Sequence, residues 1–90
     1  MKKADIIAAI TTRIGSSKFS VWRIGLTHDL VERKKYWADT EKLDTQYWTW
    51  WQADSLSDAQ DIEAAFINKG MDGGTGGDLS LYKAVFVYIF

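Results

Sequence analysis

Ninety residues and 10.3 kDa allow one domain, residues 1–90, just large enough to close a single hydrophobic core. At 47% hydrophobic and 14% aromatic, with five tryptophans, the chain is too apolar for a disordered tail, and its lack of cysteine excludes disulfides and thiolate metal sites. The net charge of −1 hides an asymmetry: residues 1–42 carry nine Lys or Arg against five Asp or Glu, a net of +4, and residues 43–90 carry two against seven, a net of −5.

That balance excludes a general polyanion binder, which would be basic throughout. Any nucleic-acid contact is therefore local, on a face carrying Arg23, Arg33, Lys34 and Lys35. No apolar run approaches the roughly 20 residues of a membrane span. The opening "MKKADIIAAITTRIG" is too interrupted by charge for a signal peptide. The expectation is a soluble cytoplasmic protein with no membrane contact.

In chain order, Ile6, Ile7, Ile10 and Ile14 recur at helical spacing and predict an amphipathic helix over about residues 3–14. "GSS" at 15–17 ends it. "KFSVWRIGL" at 18–26, rich in β-branched and aromatic residues, reads as a strand. Gly25 inside it marks either a bulge or a place where something approaches the backbone closely. Thr27 is a candidate N-cap, with Asp29 and Glu32 in the first turn where the helix dipole favours anions. That helix runs to about Ala38, and "ADTEKLDT" is a polar connection.

"QYWTWWQA" at 46–53 predicts a second strand with aromatics on both faces. "DSLSDAQDIEAAFINKG" is the clearest helix: Ser57 and Gln60 form a capping box, Ala59, Ile62 and Phe66 give the buried stripe, and Gly70 sits where a C-cap belongs. "MDGGTGGD" reads as a flexible loop, since acidic residues flank its glycines and no helix follows to bind phosphate. "LYKAVFVYIF" closes the chain as a third strand. The order α-β-α-β-α-β implies a small two-layer α+β domain, its three-stranded, mainly antiparallel sheet carrying helices over one face.

The stretch "RIGLTHDLVER" resembles the second motif of the GIY-YIG nuclease family, a Tyr-Ile-Gly strand leading through a turn into a helix. The family carries an arginine eight residues after that glycine, as Arg33 follows Gly25. "AQDIEAAFINK" resembles the family's metal-binding helix, with Ala59, Ile62, Glu63, Phe66 and Ile67 at the matching positions. The resemblance spans residues 23–69 in order. It departs in two places: Arg23 stands where the family has its second tyrosine, and no tyrosine precedes Tyr36 to supply the first motif, Gly-Ile-Tyr.

"KAVFVYIF" at 83–90 has the texture of that missing first strand. If it pairs antiparallel beside residues 19–26, the chain is a circular permutant of the fold, which is physically undemanding because the ends of compact domains are often close. Tyr88 is then the candidate for the missing tyrosine and Tyr82 the second, by strand parity.

The resemblance implies an activity on nucleic acid, either a metal-dependent endonuclease or an inactive relative that still binds. Arg33 would clamp phosphate, Glu63 would hold Mg²⁺ or Mn²⁺, and Tyr88 would be the base. Arg23 cannot act as a base but can bind phosphate. Lys34, Lys35 and His28 would extend the nucleic-acid-binding face.

Each residue also has a plain reading. Arg33 is a solvated helix residue paired with Asp29, Glu63 is helix surface, and a lone His28 at a helix start is incidental. Tyr88 is sheet packing, and Trp48, Trp50 and Trp51 fill the core. The competing function is a small interaction module that uses its aromatic surface and charge dipole for a protein partner, which an exposed apolar patch at Trp48 to Trp51 would favour.

Overall fold

The computed structural model describes residues 1–74 and 79–90. Helix α1 occupies Lys3–Ile14 and buries Ile6, Ile10 and Ile14, the four-residue recurrence expected of one helical face. Gly15 ends it at φ +58°, a backbone setting that suits glycine. A single 3₁₀ turn at Phe19–Val21 takes up the front of the predicted first strand, so β1 is only Arg23–Thr27.

Helix α2, Leu30–Lys35, is capped by Asp29, whose carboxylate accepts from the Glu32 N–H at 3.1 Å. Thr27 is not the cap. Its buried hydroxyl is bonded to both backbone groups of Asp29, forming the turn that releases the chain from the strand. A π-helical turn, Tyr36–Thr40, continues α2 beyond the expected end at Ala38.

Strand β2 is Thr49–Ala53, and α3 is Leu56–Asn68. Ser55 rather than Ser57 caps α3, accepting from the Asp58 N–H at 3.1 Å. Helix α3 buries Ala59, Ile62 and Phe66, the stripe expected, and Gly70 follows its end at φ +117°.

The sheet has four strands and is mixed, which corrects the expected three-stranded, mainly antiparallel one. A two-residue strand β3, Asp72–Gly73, pairs parallel with β1, Arg23 opposite Asp72 and Ile24 opposite Gly73. The sequence reads as a loop here because two residues carry no periodicity to detect. Positions 75–78 of that loop lie outside the described residues.

The last strand, β4, is Val85–Ile89 and pairs antiparallel with both β1 and β2, giving the order β2-β4-β1-β3. The C-terminal strand thus lies directly beside residues 24–27 and antiparallel to them.

Alternation along β4 decides the layers. Val85, Val87 and Ile89 point into the core with α1 and α3, and so do Ile24 and Ile62. Phe86, Tyr88 and Phe90 belong to the opposite face. The helices are not all on one side, because Trp37 from the π turn reaches across this second face and meets Tyr88 and Phe90.

Candidate functional site

Gly25 and Tyr88 are register partners on adjacent strands, and the Tyr88 ring lies across the glycine. A Cβ at position 25 would coincide with the phenol oxygen and its ring carbon, so only glycine leaves room. Of the two readings of Gly25, close approach is the one realised. Trp48 stacks on the other side of the ring, with centroids 4.4 Å apart and planes 15° from parallel. The Trp37 indole N–H donates to the phenol oxygen at 2.9 Å. Tyr88 is 3% exposed and held by an aromatic contact, a hydrogen bond and the glycine gap.

Three charged side chains from three elements act on this oxygen. Burial raises the Tyr88 phenol above its ordinary range, and Trp37 opposes that through its hydrogen bond. Arg33 on α2 and Arg23 on β1 also pull it down, while Glu63 on α3 pushes it up. Both guanidiniums and the carboxylate thus lie within electrostatic reach of the Tyr88 phenol.

Two of these groups carry buried polar atoms with no partner among the described residues, Arg33 Nε and Glu63 Oε2, as does Trp22 through its indole Nε1. Buried polar atoms are nearly always satisfied, and an unpaired one costs about 1–3 kcal/mol. Desolvation pushes the Glu63 carboxyl up to about 7. These facts weigh against the plain readings. Arg33 makes no ion pair with Asp29 among the described residues, its guanidinium resting instead 5.3 Å over the Tyr36 ring. Glu63 is not free surface.

Arg23 lies with its guanidinium 4.7 Å from the centre of the Trp37 ring and forms an ion pair with Asp72 at 3.5 Å. Lys34 and Lys35 are exposed on α2. Tyr82 lies ahead of β4, so strand parity does not apply to it. It is 46% exposed and stacks on His28 at 3.6 Å, and no described contact joins either residue to Tyr88. Among the described residues no three of His, Cys, Asp and Glu gather where they could hold a metal ion.

The tryptophans divide according to strand parity. Trp51 packs against the core, Trp48 stacks on Tyr88, and Trp50 is half exposed on the second face. Sequence reasoning missed Trp37 and the partner role of Trp48. Trp37 follows Arg33 by four residues, the spacing of neighbours on one helix face, and that signal was available. Trp48 precedes Trp50 by two, the spacing of one sheet face.

Compared with known proteins, the chain matches no family model, no curated protein and no solved structure. Among the described residues, no helix is long and apolar enough to cross a membrane.

Proposed function

We propose that this domain binds a phosphodiester of nucleic acid beside Tyr88 and cuts it by metal-assisted hydrolysis, as its resemblance to the GIY-YIG nucleases implies. The observation that carries the reading is a pair of buried atoms with no partner among the described residues, Arg33 Nε and Glu63 Oε2, on groups whose charges both reach the Tyr88 phenol. A guanidinium edge wants an anion and a carboxylate oxygen wants a cation. A phosphate carrying a divalent ion supplies both.

Glu63 fits such an ion in part. It would be the single protein carboxylate, leaving the other positions to water and phosphate oxygens, the manner in which Mg²⁺ is commonly held. A bound ion supplies electrophilic help to the phosphoryl group and lowers the charge repelling the nucleophile. The chain's own residues do the rest. Arg33 stabilises the charge gathering on the phosphoryl oxygens. Tyr88 has one acceptor position occupied by Trp37 and keeps another acceptor position and its own proton, so it can orient a water and relay the proton that the water loses. The water oxygen bonds to phosphorus as the bond to the leaving sugar oxygen breaks, and the proton that the water gives up passes through solvent to that leaving oxygen, which departs as a hydroxyl.

Arg23, at the place of the family's second tyrosine, binds the neighbouring phosphate. Lys34 and Lys35 add a local basic face, consistent with a chain that is not basic overall. The exposed aromatics Tyr47 and Trp50 are the observation favouring the other reading, a protein-interaction module. The desolvated charges outweigh it, because a docking surface has no use for them.

Supercoiled-plasmid nicking with Mg²⁺ or Mn²⁺ tests the proposal, comparing wild type with Arg33→Ala and Glu63→Ala. Nicking is expected in wild type and lost in both variants. Nicking that persists in both marks a contaminant and sinks the reading. Absence of nicking together with Arg33-dependent DNA binding leaves a binding domain without cleavage.

A further inference from the structure

We propose that Trp50, steadied by Phe86, is a stacking shelf for an unpaired nucleobase, so that the preferred ligand of the Tyr88 site is single-stranded rather than duplex nucleic acid. The inference rests on the phosphodiester reading above and adds the class of nucleic acid to it.

Register places the shelf. Trp50 is the cross-strand partner of Tyr88, and Gln52 is that of Phe86, so all four side chains share the sheet face opposite the core. Trp50 is 50% exposed, yet it is not a loose side chain, because its ring meets Phe86 in an edge-on contact with centroids 5.6 Å apart at 86°. It lies on β2, the strand at one border of the sheet, where no further strand crowds it.

The charges lie on the other side of Tyr88. Arg23 belongs to β1 and Arg33 to α2, and both guanidiniums act on the phenol. Moving across the sheet from β1 to β2, one passes from Arg23 to the tyrosine and then to an exposed indole, neighbouring strands lying about 5 Å apart. A ligand matching that sequence has an anionic group and a flat aromatic group separated by a short linker. A nucleotide within a strand is built this way. An acidic peptide would satisfy the guanidiniums but offers no obligatory flat ring beside its charge.

Pairing state follows from geometry. In a duplex each base face is covered by its neighbours, and an indole gains access only by unstacking them. In a single strand the faces are free, and stacking on an aromatic side chain tolerates every base.

Anisotropy of a labelled short oligo(dT) and of a blunt duplex, in EDTA so that nothing is cut, tests the proposal. Wild type is expected to bind oligo(dT) more tightly than the duplex. Trp50→Ala should weaken oligo(dT) binding by about tenfold while leaving the duplex unchanged, and Trp50→Phe should restore most of it. Equal oligo(dT) affinity in wild type and Trp50→Ala overturns the shelf, and so does a preference for duplex. Duplex binding abolished by Arg33→Ala, with no binding of oligo(dT), removes the shelf and leaves the phosphodiester site. Binding of neither DNA removes both.

Discussion

The Tyr88 ring fills the space above Gly25 that a side chain would otherwise occupy, which couples the single glycine inside β1 to a buried hydroxyl of the second sheet face. The neighbouring residues follow from that contact: Trp48 covers the ring and Trp37 bonds its oxygen. Gly25→Ala should expel the ring from its seat. Its cost is steric overpacking, about 1–3 kcal/mol in a denaturant melt, and plasmid nicking should fall with it. A variant as stable and as active as wild type would show that the ring has another resting place.

Phe66, fully buried on α3, supplies the control for fold without site chemistry. Phe66→Ala should cost about 3–5 kcal/mol by leaving a cavity, as read from chemical denaturation. At temperatures where the variant remains folded, DNA binding should be retained. Loss of binding by a folded variant would tie the site to core packing far more closely than the geometry implies.

Glu63 makes stability depend on pH. Its folded-state pKa of about 7 lies above the ordinary 4.5, so the folded protein holds a proton that the unfolded chain releases. Stability from this group is therefore full below about 4.5 and declines as pH rises towards about 7. Because the carboxyl is partly solvated, the expected loss is discounted to about 1–2 kcal/mol. Glu63→Gln should remove that part of the pH dependence in melts between those limits. Mg²⁺ should lower the apparent pKa of Glu63 in wild type, since the ion competes with the proton.

Trp37 donates to the Tyr88 oxygen and so favours the phenolate. Trp37→Phe keeps an aromatic ring but removes the donor. The Tyr88 phenol should titrate at higher pH, seen by ultraviolet difference spectroscopy against Tyr88→Phe. The alkaline limb of the nicking profile should move in the same direction. An unchanged titration would mean that the hydrogen bond is not formed in solution.

Arg33 offers the clearest separation of binding from chemistry. Its Nε is buried with no hydrogen-bond partner among the described residues, and its guanidinium rests only on the Tyr36 ring. Arg33→Ala should cost only about 0.5–1 kcal/mol of stability, the worth of its contact with the Tyr36 ring, while reducing nicking by about 10²–10³-fold. Arg33→Lys should recover little, because a point charge lacks the guanidinium fork. A sharp loss of stability in Arg33→Ala would assign the side chain a structural partner instead.

Much of the local structure was legible in the residues. The isoleucine recurrence of α1, the Ala59, Ile62 and Phe66 stripe of α3, the close-approach glycine at 25 and the terminating glycine at 70 all appear as expected. Capping positions were displaced by two residues because several Ser, Thr and Asp side chains nearby can cap, and only backbone geometry selects among them: Asp29 over Thr27, and Ser55 over Ser57. Strand lengths were overestimated for a related reason, since aromatic and β-branched residues also suit the 3₁₀ turn at Phe19–Val21.

Sequence alone determined which faces of the helices are apolar, where the chain must turn and which side chains carry charge, because those properties depend on neighbours a few residues away. Only tertiary structure decided that β4 lies between β1 and β2, that Asp72 and Gly73 extend the sheet, and that Tyr88 rests on Gly25. It also decided that Arg33 and Glu63 present buried atoms with no partner among the described residues. Long-range pairing and desolvation are set by atoms brought together from distant parts of the chain, and no local period records them.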